Sequence, residues 1–272
     1  MKKKMNIVLI VAFCLLVTLI GKFSYDAKVE KTQVELKAYA KVHAEEEKKL
    51  ELEEAKTKAK KRAEEKRVFE EHKGEKLVYS PMGDSLALGL HATKENKKYT
   101  SLLSEMIENK MGYDVQRADG AVDGGKGLVD LGIPELPNVL NEFPDFVTIE
   151  FGTNDSDENL DAYSTPEEFK ERLEYVINNL KSNSKKPKIL LVTTWNLGEK
   201  SLIYDDIIET VGKENEVPVV NIQSVWQNRT KTYGPEGYKD LFGNESDNWH
   251  PNDQGHKEIA DIIFDKAYNI LK

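Results

Sequence analysis

Residues 187–195 have the sequence PKILLVTTW, and this stretch decides the fold class. Its consecutive apolar residues, 189–192, predict a strand that is buried on both faces, as in the middle of a parallel sheet. The earlier stretch DFVTIEFGTND, residues 145–155, predicts another strong strand. Between the two, residues 164–183 have the spacing of an amphipathic helix. This alternation of strand and helix predicts a parallel sheet with helices on both faces.

The helix over residues 164–183 carries its own start signals. Thr165 is the predicted N-cap, Pro166 occupies the first helical position, and Glu168 completes a capping box. The apolar side chains of this helix fall on one face, which we expect to be buried. They are Phe169, Leu173, Val176, Ile177 and Leu180.

The same alternation extends over residues 77–272, which we predict to form one α/β domain. Three further helices are predicted: one closed by Gly112, one over residues 201–215, and a last one from about Asp253. The five predicted strands lie in KLVYSPMGDS (76–85), YDVQRADGA (113–121), DFVTIEFGTND (145–155), PKILLVTTW (187–195) and VPVVNI (217–222).

The N-terminal residues predict a membrane anchor or a signal peptide. An apolar run over residues 5–21 follows three lysines, and lysines before such a run keep the N-terminus in the cytoplasm. We therefore expect residues 1–26 to anchor the chain in the cell membrane as a single span, with residues 77–272 outside. If the segment is cleaved, the protein is secreted.

Residues 27–76 differ sharply in composition from the rest of the chain. They are rich in Glu, Lys and Ala, and the pairs Glu45–Lys49 and Glu54–Lys58 have the favourable i,i+4 direction. The apolar residues hold no sustained heptad, so the segment is predicted to be a solvated helical stalk. A dimerising coil is the alternative, and the sequence does not predict the oligomeric state.

Composition limits the classes of partner. The 272 residues carry a formal net charge of −9, which argues against nucleic acid as a partner. The one cysteine, Cys14, lies in the N-terminal apolar run, so neither an intramolecular disulfide nor a CxxC zinc site is expected.

Candidate catalytic residues follow the predicted strands, where ligands of parallel sheets bind. Ser85 follows the first strand, the glycine-rich turn DGAVDGGKG (119–127) follows the second, and Asn154 follows the third. The loop SDNWHPNDQGH (246–256) supplies Asp247 and His250. In this set Ser85 can attack an ester, His250 can take its proton, and Asp247 can orient the imidazole.

The order of these motifs resembles a known family. GDSLALG, the glycine turn, GTND and DNWHPN resemble the four sequence blocks of the SGNH (GDSL) hydrolases, whose four name-giving residues correspond to Ser85, Gly124, Asn154 and His250. The resemblance covers residues 77–272. It implies a three-layer α/β/α, flavodoxin-like domain with a five-stranded parallel sheet, and a lysophospholipase-like or acetylesterase-like activity that needs no metal and no cofactor.

The oxyanion of a tetrahedral intermediate needs donors, and we assign this role to the Ser85 and Gly124 amides and the Asn154 side chain. The glycine turn departs from the family pattern because Asp119 stands where the family has Asn. Gly124 lies five residues beyond Asp119, as in the family, and Gly125 is the second choice.

Other polar residues near these motifs are expected to be structural. Asp84 and Asp155 are predicted to form caps or turn hydrogen bonds, and His256 is predicted to pack at the start of the last helix. The remaining histidines are expected to be solvated. They are His43, His72 and His91.

The sequence therefore predicts an extracytoplasmic serine esterase that removes acyl groups, most simply acetyl groups, from a cell-surface glycan. Its expected partners are this ester substrate and, through the N-terminal helix, the membrane. Three alternatives remain open: a lysophospholipase or short-chain acyl esterase, an acyltransferase that uses a glycan as acceptor, and a membrane-anchored binding or scaffold protein without catalysis.

Overall fold

A computed structural model describes residues 2–196, 198–227 and 229–272. It divides the chain into two compact units, Met1–Glu64 and Glu65–Lys272. The first unit consists of a helix, α1 (Lys2–Glu71), whose last turns belong to the second unit. By length and composition alone, the stretch Leu9–Glu71 contains enough apolar residues to cross a membrane, a test that an N-terminal signal sequence also passes.

The second unit begins before the predicted end of the stalk at residue 76. Val68 is fully buried and belongs to the same core cluster as Leu77, so the end of α1 packs onto the domain. His72 was expected to be solvated, and this is wrong. Its ring stacks on Tyr113 at 4.3 Å between centroids, and Nδ1 lies 2.8 Å from the Glu75 carboxylate.

The domain is built on a parallel sheet, which confirms the predicted α/β fold. The strands are β1 (Lys76–Gly83), β2 (Asp114–Arg117), β3 (Ala121–Val122), β4 (Phe146–Glu150), β5 (Lys188–Val192) and β6 (Val219–Val220). Their order in the sheet is β2-β1-β4-β5-β6, and the short β3 also pairs with β1.

The second predicted strand is split into β2 and β3, so the predicted count of five misses one short strand. The backbone of Tyr79 accepts a hydrogen bond from Ala118, and Gly83 accepts one from Asp123. Pro81 lies between them and has no N–H to donate to this side. Gly120 passes directly against the Pro81 carbonyl with a φ of +66°, where any Cβ would clash.

Helices cover both faces of the sheet. Apart from α1, they are α2 (Ser85–Leu88), α3 (Tyr99–Met111), α4 (Leu136–Asn141), α5 (Pro166–Ser182), α6 (Glu199–Glu214), α7 (Gln223–Trp226) and α8 (Asp253–Leu271). One core cluster joins α3 and α8 to one face, and a second joins α4, α5 and α6 to the other. Consecutive strand residues alternate between the clusters, which explains the continuous apolar pattern of β5.

The predicted helix signals are confirmed where local chemistry sets them. Thr165 and Glu168 form the capping box of α5, and the five apolar residues predicted for its inner face are all buried. Gly112 ends α3 in the left-handed conformation with a φ of +90°.

Candidate active site

The predicted site residues meet at the carboxyl edge of the sheet. Ser85 is the first residue of α2, and Asp84 alone separates it from the end of β1. Asn154 lies just beyond β4. The loop before α8 brings His250 to them across a separation of 165 residues. Asp84 caps α2, since its Oδ1 accepts the Leu86 N–H at 3.0 Å.

A chain of hydrogen bonds links three of the predicted side chains. Ser85 Oγ lies 3.1 Å from His250 Nε2, and His250 Nδ1 lies 2.7 Å from Asp247 Oδ2. Ser85 is buried, with 5% of its surface exposed. This is the spatial order of a nucleophile, a base and an orienting carboxylate.

Asp247 also builds the turn that holds the histidine. Its Oδ1 accepts the backbone N–H of Trp249 at 2.9 Å and that of His250 at 2.7 Å. These hydrogen bonds keep the pKa of Asp247 below its usual range, although burial acts against them. Asp247 is therefore charged at neutral pH and can stabilise an imidazolium.

The histidine is set up to be a neutral base. Burial lowers the pKa of His250 below 6.5, and nearby His91 acts in the same direction, while the hydrogen bond and charge of Asp247 oppose both. With Nδ1–H donated to Asp247, Nε2 is left to accept a proton from Ser85 Oγ.

The three predicted oxyanion donors differ in the hydrogen bonds that they now make. The Ser85 N–H donates to no described residue. Gly124 lies close to the serine, since a Cβ on Gly124 would lie 4.0 Å from Ser85 Cβ, but its N–H donates to Asp123 Oδ1 at 2.8 Å. Asn154 Nδ2 donates to Asp84 Oδ2 at 3.1 Å and to the Lys126 carbonyl at 2.9 Å.

The two candidate glycines have different surroundings. A Cβ on Gly125, which has a φ of +72°, would meet no atom within 4 Å. Gly124 faces both Leu88 and Ser85. This geometry favours Gly124 as the glycine that contacts a bound ester.

Carboxyl groups lie behind the serine, fully or almost fully buried. Asp155 accepts the N–H groups of Leu128 at 2.9 Å and Gly152 at 3.0 Å, so it holds a turn, as predicted. Burial raises the pKa of Asp155 to about 7 and that of Asp84 to about 6. Sequence reasoning did not single out Glu150, the last residue of β4, which is fully buried beside Asp84.

His91 was expected to be solvated, and this is wrong. It is 4% exposed, its Nδ1 accepts the Asp247 N–H at 3.3 Å, and its ring centroid lies 5.0 Å from that of His250. No motif marks this residue; its sequence position six residues after Ser85 is the one signal that pointed towards the site.

His256 packs as predicted. It is fully buried in the first turns of α8, and its Nε2 lies 2.9 Å from the Leu90 carbonyl. Burial lowers the pKa of His256 to about 4, so the ring is neutral. It therefore ties α8 to the segment that follows Ser85.

One group of described side chains has the spacing of a metal site. Ligand atoms of His91, Asp247 and His250 all lie within 4.8 Å of one another. Both Nδ1 atoms already have hydrogen-bond partners on Asp247, however, one on its backbone N–H and one on its carboxylate. The two Nδ1 atoms and the Asp247 carboxylate are therefore engaged in hydrogen bonds with one another.

Solved structures similar to this chain include three esterases or acylhydrolases. A two-domain esterase (CEX) active on acetylated mannans is 24% identical, with a TM-score of 0.54, over 71% of this chain and 49% of the other. The acetyl xylan esterase AlAXEase is 21% identical, with a TM-score of 0.55, over 70% and 99%. The lipase/acylhydrolase from Enterococcus faecalis is 21% identical, with a TM-score of 0.53, over 70% and 94%.

These likenesses show the fold, and the chain spans about half the length of the two-domain esterase. A search of curated protein sequences found no match. The model of the GDSL-like lipase/acylhydrolase family, in contrast, matches residues 79–263, from within β1 to within α8. Because this match spans more than half of the 272 residues and includes every predicted site residue, the chain belongs to the GDSL-like lipase/acylhydrolase family.

Proposed function

We propose that the protein is an extracytoplasmic serine esterase that removes acetyl groups from a cell-surface glycan. The observation that carries the proposal is the hydrogen-bond chain from Ser85 Oγ through the His250 ring to the Asp247 carboxylate. Membership of a family of lipases and acylhydrolases supports ester hydrolysis as the reaction.

The first half of the reaction forms an acyl-enzyme. Ser85 Oγ attacks the ester carbonyl carbon while its proton passes to His250 Nε2, and the carbonyl oxygen becomes an oxyanion. The Ser85 and Gly124 amides and the Asn154 side chain hold this oxyanion. To do so, the Gly124 N–H and one N–H of the Asn154 side-chain amide must leave the acceptors to which they now donate. The intermediate collapses as the C–O bond to the alcohol breaks, and His250 gives its proton to the departing oxygen.

The second half releases the acyl group. A water molecule gives a proton to His250 Nε2 and attacks the acyl carbon, and the second tetrahedral intermediate then expels Ser85 Oγ, which recovers the proton. Asp247 stays ionised throughout and stabilises each imidazolium. If a sugar hydroxyl takes the place of water, the same acyl-enzyme acylates a glycan, so the products separate hydrolysis from transfer.

The acetylated glycan is proposed on two grounds. Two of the similar structures are described as active on acetylated mannans and as an acetyl xylan esterase, respectively. The N-terminal apolar helix after three lysines supports a location at the outer surface of a cell membrane, where glycans are accessible.

The test uses the full-length protein purified in detergent. We expect release of acetate from acetylated mannan or xylan, hydrolysis of p-nitrophenyl acetate, and labelling of Ser85 by a fluorophosphonate. Ser85→Ala should abolish all three. Ser104→Ala on α3 is the matched control, because this half-buried serine donates to a backbone carbonyl within its own helix. Unchanged turnover in Ser85→Ala would rule out the assignment, and preference for long-chain lysophospholipids would replace the glycan by a lipid.

A further inference from the structure

We propose that His91 is a positioning residue that holds Asp247 in register with His250. This inference rests on the proposed function, because it concerns the same hydrogen-bond chain. His91 lies outside the four sequence blocks, beyond the end of α2, and it is at least as buried as Ser85.

The backbone of His91 is fixed in an unusual conformation. Its φ of +63° lies in the left-handed region, which non-glycine residues adopt where the surroundings enforce it. Its N–H donates to Asp240 Oδ2 at 3.3 Å, and its carbonyl accepts the Tyr238 hydroxyl at 2.7 Å. Both partners lie in the loop that leads to Asp247, so this loop and the segment after Ser85 are tied together at His91.

The side chain of His91 then meets Asp247 itself. Nδ1 accepts the Asp247 N–H at 3.3 Å and lies 3.5 Å from Asp247 Oδ1. The Asp247 side chain is 46% exposed, so packing alone constrains it poorly. His91 supplies the buried contact on one side of Asp247, while the turn to Trp249 and His250 supplies the contacts on the other.

The direction of the hydrogen bond from the Asp247 N–H to His91 Nδ1 decides the tautomer of His91. An Nδ1 that accepts an N–H carries no proton, so in this arrangement Nε2 bears the ring hydrogen. His91 therefore acts on the reaction through Asp247, and it makes no contact with Ser85 Oγ among the hydrogen bonds described.

Variants of His91 test this role in the full-length protein. His91→Leu keeps bulk but removes the acceptor, and we expect kcat to fall roughly 10²-fold with KM unchanged, the loss that a misplacement of about 1 Å causes. His91→Asn should recover most of kcat, because its amide oxygen can accept near the position of Nδ1 and asparagine tolerates a positive φ. His91→Gly removes the ring and suits the positive φ of the backbone at this position. We expect it to lose as much kcat as His91→Leu.

A spectroscopic measurement keeps the test independent of turnover. The His250 Nδ1–H bonded to Asp247 should give a downfield proton resonance in histidine-labelled protein, which His91→Leu broadens or shifts and His91→Asn restores. His72→Leu is the matched control, since this histidine stacks on Tyr113 at the other end of β1.

Three outcomes would overturn the proposal: wild-type kcat in His91→Leu, equal losses in the Leu and Asn variants, or an unchanged downfield resonance in all variants. If wild-type protein hydrolyses no ester, the proposed function fails, while the resonance still reports whether His91 positions Asp247.

Discussion

Asp247 binds His250 twice, through the two oxygens of one carboxylate. Oδ1 accepts the backbone N–H of His250 and Oδ2 faces the ring Nδ1, each at 2.7 Å. A separation of three residues allows this, because an aspartate at the start of a tight turn reaches the backbone and the side chain that close the turn. The backbone contact thus sets the position of the histidine, and the ring contact sets its tautomer.

Asp247→Asn should preserve the turn and impair catalysis. The amide oxygen can still accept the His250 N–H, but an amide NH₂ facing Nδ1 forces the ring hydrogen onto Nε2. Nε2 then cannot take the Ser85 proton, and we expect kcat to fall by about 10⁴-fold, the size typical of this substitution in serine-protease triads. Steady-state kinetics with p-nitrophenyl acetate checks this, with the melting temperature as the control for folding. A loss below tenfold would contradict the role of Asp247.

Activity should persist into mildly acid solution. His250 acts as a base only when neutral, and burial, with a smaller contribution from His91, lowers its pKa below 6.5. The acid limb of kcat/KM reports this group in the free enzyme, so its midpoint should lie below pH 6.5. In Asp247→Asn the acid limb of the residual kcat/KM should have its midpoint at a still lower pH. The carboxylate that stabilises the imidazolium is gone, so the pKa of His250 falls further. An acid limb above pH 6.5 in the wild type would contradict the prediction.

Much of the fold and the site follows from local sequence. The α5 capping box, the Gly112 C-cap and the turn from Asp247 to His250 each depend on residues within a few positions of one another. The order of motifs after the strands then predicts Ser85 as the candidate nucleophile, because parallel strands end at one edge.

The features that the sequence does not reveal depend on tertiary contacts. His91 contacts Asp240 and Asp247, which lie 149 and 156 residues further along the chain, and nothing in its neighbours marks it as buried. Glu150 lies in a strand pattern in which any residue is buried on one face or the other. The division of the second strand depends on Pro81 of a different strand.

Removing Asp123 should release an oxyanion donor. Its Oδ1 now accepts the Gly124 N–H, and a carboxylate also repels a developing negative charge. Asp123→Ala should therefore raise the rate constant of acylation by roughly 2- to 10-fold, the equivalent of one net hydrogen bond of about 0.5–1.5 kcal/mol. The measurement is single-turnover acylation by p-nitrophenyl acetate, with Asp114→Ala on β2 as an exposed control. A decrease in Asp123→Ala alone would show that this contact supports the active conformation.

Glu150 makes stability depend on pH. It is fully buried and lies beside the carboxyl group of Asp84. Burial, reinforced by neighbouring Asp84, raises the pKa of Glu150 well above 4.5. A raised folded-state pKa gives a contribution to stability that is complete below the unfolded pKa and is lost as the pH rises through the folded pKa.

Glu150→Gln removes this dependence, because glutamine is neutral at every pH and nearly isosteric. Relative to the variant, the wild type should lose stability as the pH rises above about 4.5, by up to about 1.4 kcal/mol per pH unit until Glu150 ionises in the folded state. Urea denaturation over a pH series from about 5 to about 9 measures the difference. Glu108→Gln on the exposed side of α3 should follow the wild type throughout. Parallel curves for wild type and Glu150→Gln would mean that Glu150 is ionised in the folded protein, and would contradict the prediction.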